Sequence, residues 1–321
     1  MHPLTPSQFF KAWAIVIFVA RETIDVLMQS VRAASIAGQG RANIDVMVNG
    51  NPELAHELAG RLAQGPVVPN APVVNVWSIA QGDKANAWNQ YIHGIWSGQS
   101  IAFFIDGYVR LNPDAVELLG DAITADPSFL GGTGIPCVGR SAQALRASMV
   151  QHGGFHGNFC CVTRQVIEQL RDRHIELPFG LYRVDGLIGA LLSFGLDPIN
   201  NEWNPHRVLV HPTASWQTNV KHWWRFNDLK DALKRMFRQT RGLLENKAVT
   251  HHFLVRKLSP EQLPASASSL VLGWAERCPV QVNALCQHNL LAKQALHQFR
   301  HAQPLAPDKA APTLVLSTAP A

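Results

Sequence analysis

The sequence is short of cysteine, has no long apolar run, and lacks glycine where a phosphate-binding loop would need it. Its five cysteines (Cys137, Cys160, Cys161, Cys278 and Cys286) fall in no metal-type spacing. An odd count with an adjacent pair argues against a disulfide scaffold and for a reducing compartment. No apolar stretch approaches the ~20 residues that span a bilayer. The run 12–20 could pass for the core of a targeting segment, but Arg21-Glu22 cuts it short, so it reads as a strand. The expected location is therefore cytoplasmic. Ala20-Arg21-Glu22-Thr23, just after that strand, contains no glycine, which weakens a nucleotidyltransferase reading. No internal repeat is evident, and no nucleic-acid module accompanies the basic residues, so nucleic acid is not expected as a partner.

What is present suits one large α/β core with an appendage, since 47% of the 321 residues are hydrophobic. The net charge of +5 is unevenly spread. Residues 221–257 hold ten Lys/Arg against three Asp/Glu, so the rest of the chain is slightly acidic.

The first two-thirds alternates strand and helix signals. Residues 13–19 read as a buried strand and 22–37 as a helix with Ile24, Leu27, Met28 and Val31 on one face. A strand at 44–48 runs into Asn49-Gly50-Asn51-Pro52, where Pro52 can open a helix to about 62. A strand at 73–77, a helix at 83–95 and a strand ending on Asp106 follow, then a helix from 113 to 125. Such repeats give a parallel sheet with right-handed crossovers. Glycine becomes frequent over 129–157, which reads as loop, with 153–157 its most flexible part. Strands at 159–162 and 207–211 and helices at 164–173 and 187–194 complete the pattern. Beyond Trp216 the period becomes helical: Phe226, Leu229, Leu233, Met236, Phe237, Leu243 and Leu244 form a stripe with basic residues on the other faces. A linker at 264–269 and a helix at 280–299 are expected. The expected division is a catalytic domain at 1–216, a basic helical extension at 217–302, and a disordered Pro/Ala-rich tail at 303–321.

The most informative stretch is Phe103-Phe104-Ile105-Asp106-Gly107-Tyr108, an apolar run ending on a lone carboxylate. Ligands of open α/β sheets bind beyond the carboxyl ends of strands. A carboxylate there can hold a hard divalent cation against a diphosphate. Taken alone, an aspartate before glycine more often caps a turn.

Five elements stand in order: Val19-Ala20-Arg21-Glu22, Val48-Asn49-Gly50, Gly82-Asp83-Lys84-Ala85-Asn86-Ala87-Trp88-Asn89, Asp106-Gly107-Tyr108 and Arg183-Val184-Asp185-Gly186. Together, over roughly 12–216, they resemble the inverting family 2 glycosyltransferases with a GT-A fold. The resemblance implies a GT-A-like, mostly parallel sheet flanked by helices. It implies Asp185 as catalytic base and a donor-binding set of Ala20, Glu22, Asn49, Lys84, Asn89, Asp106 and Gly107. Asn49 stands where the family usually has an aspartate that contacts the base. Tyr108 replaces the second aspartate of the family's Asp-x-Asp motif, and a protonated phenol is a poor metal ligand. Either Asp106 holds Mn2+ or Mg2+ with diphosphate oxygens and another ligand, or metal dependence is weakened. His211 is the candidate extra ligand, because some family members place a histidine there, and its use would favour Mn2+.

The implied activity transfers a sugar from a nucleotide-diphosphate donor, UDP- or GDP-linked, to a hydroxyl of a saccharide or lipid-linked acceptor. The competing reading is a catalytically silent module that binds a nucleotide sugar or a partner protein. Each site residue also has a plainer role: Asp185 can cap its helix, Lys84 can be solvated, and His211 can be an ordinary strand-end histidine. The basic helix at 221–244 packs on the catalytic domain in one reading. In another it docks on anionic lipid at the inner membrane face, helped by Trp223, Trp224 and Phe226.

Overall fold

The computed structural model describes residues 12–38, 40–138, 142–218 and 226–319, with backbone only for 226–235. Trp223, Trp224 and the basic side chains through Arg235 therefore lie outside the described residues.

The chain begins β1 (Trp13–Val19), α1 (Ile24–Ala37), β2 (Ala42–Asn49), α2 (Pro52–Ala63), β3 (Val74–Ile79), α3 (Lys84–Gln90) and β4 (Ile101–Asp106). It continues β5 (Arg110–Leu111), α4 (Ala115–Ala125), β6 (Gly131–Pro136), α5 (Ala142–His152), β7 (Phe159–Thr163), α6 (Arg164–Asp172), α7 (Val184–Ser193) and β8 (Val208–Gln217). The remainder is α8 (Phe226–Thr250), α9 (Ala267–Arg277), α10 (Pro279–His288), α11 (Leu290–Arg300), α12 (Pro307–Ala310) and β9 (Pro312–Ser317). All nine strands join one sheet in the order β5-β8-β6-β7-β4-β1-β2-β3-β9. Strands β4, β1, β2 and β3 run parallel, whereas β7 is antiparallel to both β4 and β6. The sheet is thus mixed, with a parallel half that holds the predicted strand ends.

Successive side chains of a strand face opposite ways, and the central strands are apolar on both faces. Trp13, Ile15, Ile17 and Val19 of β1 join Ile101, Phe103 and Ile105 of β4 in the core beneath α1, α2 and α4. Ala14, Val16 and Phe18 join Ala102 and Phe104 in the core on the other face, which α3, α6 and α7 cover. Leu244, Ala248, Phe253, Val271, Trp274 and Phe299 belong to this second core. The C-terminal helices therefore share a core with the sheet, although the change of period near Trp216 reads as a domain boundary. The expected linker at 264–269 is likewise built in: Phe179 bridges Ser266, and Ser266 caps α9 through Ser269 N. The expected single helix at 280–299 is two, broken at Asn289, whose side chain caps α11.

Two further expectations fail for reasons the sequence conceals. The glycine-rich stretch holds β6, a fully buried strand between β7 and β8. A Cβ at Gly131 would lie 2.5 Å from the Cys161 carbonyl oxygen, and one at Gly134 would lie 2.4 Å from the Phe159 ring. Glycine here is a packing requirement, not a sign of loop. Gly134→Val should lower unfolding free energy by about 1–3 kcal/mol, as overpacking does, measured by urea denaturation. A variant of wild-type stability would refute that account. The tail, expected to be disordered, supplies β9, which pairs antiparallel with β3 and covers an edge that would otherwise stay open. Short as it is, Thr313-Leu314-Val315-Leu316 has enough β-formers to pair where an edge is on offer.

Candidate active site

Val19, Asn49, Ile79 and Asp106 all end parallel strands on one edge of the sheet, with Phe18 opposite Asp106 and Val19 opposite Val48. Helix α3 places Lys84 there. Asp83 caps its first turn by accepting from Asn86 N at 2.7 Å. One turn on from Lys84, Trp88 is buried and stacks on Phe104, with centroids 3.8 Å apart, and on Phe18 at 5.6 Å. Residues four apart share a helix face, so this stack turns Lys84 toward the ends of β1 and β4. Its ammonium lies 5.7 Å over the Phe18 ring and pairs with Asp106 Oδ1.

Tyr108 donates to the other oxygen, Asp106 Oδ2, at 2.9 Å, and lies 3.2 Å from Asn158 Oδ1. Burial first, then the charge and hydrogen bond of Asp106, push the Tyr108 phenol well above its ordinary value. It stays protonated and serves Asp106 as a donor. Burial alone would lower the Lys84 ammonium, but the charge and hydrogen bond of Asp106, with the charge of Asp185, hold it above the ordinary lysine value. The Asp106 side chain thus contacts Lys84 and Tyr108, not the backbone N–H groups that a simple turn cap would engage. Gly107 follows, its N–H donating to Phe18 O at 2.8 Å; a Cβ there would meet Val19 Cγ2 at 2.9 Å.

Asp185 enters from the far side. Helix α7 begins at Val184 with Arg183 at the N-cap position and no side-chain cap, so Asp185 in the first turn is free of that duty. Its Oδ1 pairs with Arg183 Nε at 3.4 Å, and Gly157 lies so near that a Cβ there would approach its own Cβ to 3.1 Å. The loop bearing Gly157 also carries His156, whose ring lies 5.2 Å from that of Trp216. Burial lowers the His156 pKa, against the opposing pull of Asp185 and Asp106. The charges of both carboxylates therefore act on Lys84 and on His156.

Other predicted residues hold the frame. Glu22 folds back so that Oε2 accepts from Ala20 N at 2.8 Å and Arg21 N at 2.9 Å, shaping the turn after β1. Asn49 is buried and donates to Val19 O at 2.7 Å, tying the ends of β1 and β2. Its amide donor is thus already engaged. Asn89 is committed at both ends to the backbone of Leu177, with bonds of 2.9 and 2.8 Å, and acts as a clamp on that segment. His211 accepts from Ala214 N at 2.9 Å through Nδ1, and the charge acting on it is that of Asp114. Its hydrogen bonds are made to Thr213 and Ala214, within its own turn. Among the described residues no group of three or more His, Cys, Asp and Glu is arranged to hold a metal ion.

Arg183 and Asp83 are the site residues that sequence reasoning passed over. Arg183 sits inside a quoted motif two places before Asp185, and that spacing was the only signal. Asp83 precedes Lys84 and reads as an ordinary cap, yet its second oxygen accepts from Gly180 N at 2.9 Å, tying α3 to the segment before α7.

No protein-family model matches the sequence, and no curated protein matches it. Among solved structures it is similar to a mannosyltransferase from Pyrobaculum calidifontis, determined in complex with GDP-Man and Mn2+. The two chains are 14% identical, the alignment covers 92% of this chain and 77% of the other, and the TM-score is 0.56. At that identity the likeness concerns the fold: this chain has the α/β fold of a glycosyltransferase.

Proposed function

We propose that the protein is an inverting GT-A-type glycosyltransferase, moving a sugar from a UDP- or GDP-linked donor to a hydroxyl of a saccharide or lipid-linked acceptor. One observation carries the reading: Asp106, ending a central parallel strand, is ion-paired with Lys84, and the charge of Asp185, opening a helix, acts on the same ammonium. Inversion needs an acceptor hydroxyl deprotonated opposite the leaving diphosphate, and Asp185 is the carboxylate free of capping duty to accept that proton. Arg183 orients it by ion pairing. Lys84 offers fixed positive charge where diphosphate charge accumulates, and Asp106 and the Phe18 ring fix its position.

A divalent cation fits this donor set in one form. Mg2+ and Mn2+ at phosphoryl sites take one or two carboxylates and complete their shell with substrate oxygens and water. Asp106 would hold the ion, without Tyr108 or His211, and the ion would supply Lewis-acid stabilisation of the departing diphosphate. Both Asp106 oxygens already have one partner each, so a bound ion would share the carboxylate with Lys84 and Tyr108. The fold shared with an enzyme solved with GDP-Man and Mn2+ agrees with a nucleotide-sugar donor and a metal.

Thermal-shift screening against UDP, GDP, TDP and CMP sugars, with and without Mn2+, is the direct test. One nucleotide class should raise Tm, more so with Mn2+. No response to any donor would sink the proposal. Tight donor binding with neither hydrolysis nor transfer would instead establish the silent module.

A further inference from the structure

Helix α8 buries one acidic side chain, Glu245, completely among its apolar positions. A carboxylate is almost never buried so fully without partners. The partners here are specific. Oε2 accepts from Arg183 N at 2.8 Å and Tyr182 N at 3.0 Å, while Oε1 accepts from Tyr182 N at 3.0 Å and Arg241 Nε at 3.2 Å. Arg241, one turn earlier, also donates to Gly180 O, and its guanidinium lies 4.9 Å over the Phe299 ring. Asp83 takes Gly180 N from the opposite side.

The segment 180–183 is therefore fixed through its backbone by two carboxylates from distant parts of the chain. The two backbone groups bonded to Glu245, Tyr182 N and Arg183 N, lie at the N-terminal end of α7, where backbone N–H groups have no partners within the helix. Negative charge is favoured at that end. The first turn of α7 carries Asp185, and Asp83 adjoins Lys84. One short segment thus links the frame of the ammonium to the frame of the acid.

We infer that Glu245 is a positioning residue for Asp185, so that the C-terminal helices form part of the catalytic apparatus. The inference rests on Asp185 acting as the base. An Ala or Gln at 245 leaves Tyr182 N and Arg183 N without their charged acceptor, the entry to α7 loosens, and Asp185 loses its aim. Misplacement of a reacting group by about 1 Å can cost ~10²-fold in rate.

Glu245→Gln tests this with two readings. Amide hydrogen exchange at Tyr182 and Arg183 should accelerate while the amides of β1 and β4 keep wild-type protection. In parallel, kcat should fall by ~10- to 10²-fold with the donor KM unchanged, as expected when geometry alone is disturbed. Wild-type exchange at those two amides overturns the inference, as does an unchanged kcat. Equal loss of protection across β1 and β4 would mean that Glu245 merely stabilises the fold, which also overturns it. Should Glu245→Gln not fold, Glu245→Asp keeps the charge but withdraws the carboxylate by one methylene from Tyr182 N and Arg183 N, and gives the same pair of readings. If the wild-type protein transfers no sugar, the functional reading fails by itself, and exchange alone then decides whether Glu245 sets the entry to α7.

Discussion

Asp185→Asn should reduce kcat by ~10²-fold or more while leaving donor affinity intact, because an amide cannot accept the acceptor's proton. The substitution is close to isosteric. It costs no capping bond, since α7 has no side-chain cap, and it leaves the space against Gly157 filled. Its one structural loss is the Arg183 pair at 3.4 Å, which is partly exposed and worth little, about 0–1 kcal/mol. An activity loss with unchanged Tm and unchanged nucleotide Kd would therefore report chemistry. Steady-state kinetics beside calorimetric titration of the donor decides the matter. A fully active variant would show that the base lies elsewhere, and the transferase reading would lose its base on the acceptor side.

Asp106→Ala should abolish any Mn2+ dependence of donor binding and also destabilise the protein. Two partners lose a contact at once. Lys84, about one-third exposed, loses its counter-ion, and the Tyr108 hydroxyl is left with Asn158 Oδ1 as its acceptor. A hydrogen bond to a charged group is worth about 1.5–3 kcal/mol, and solvent access to Lys84 keeps the total toward the lower end. Donor titration with and without Mn2+, together with urea denaturation, separates the two effects. Persistent Mn2+ stimulation would remove Asp106 from the metal site. Loss of stability without loss of donor binding would reduce it to the counter-ion of Lys84. The pairing has a corollary: each Asp106 oxygen already has one partner, so a bound cation would share the carboxylate with Lys84 and Tyr108.

Much of the parallel half was legible in the sequence. The apolar runs of β1 and β4 are continuous because both faces of those strands are covered, and a run of that kind ends where the chain must turn. That is why Asp106 stood out, and why Ala20, Glu22 and Asn49 fell at neighbouring strand ends. The roles of the last two were less legible. Glu22 and Asn49 spend hydrogen bonds on the strand-end backbone, and Asn89 spends both of its amide groups on Leu177. A polar side chain near a crevice looks the same in sequence whether it faces the ligand or the backbone beside it.

The chain's own periodicity determined the order of strands and helices and delivered an acid to the end of a central strand, because pattern over a few residues is a local property. Tertiary structure alone decided the rest. It put Lys84 against Asp106, Gly157 against Asp185, and Glu245 of a late helix beneath Tyr182 and Arg183. It also made a buried strand of glycines where any added side chain would collide, and an edge strand of a tail whose composition suggested disorder. These outcomes depend on what neighbour is present at a given distance, and residues far apart in sequence become neighbours only once the core has closed.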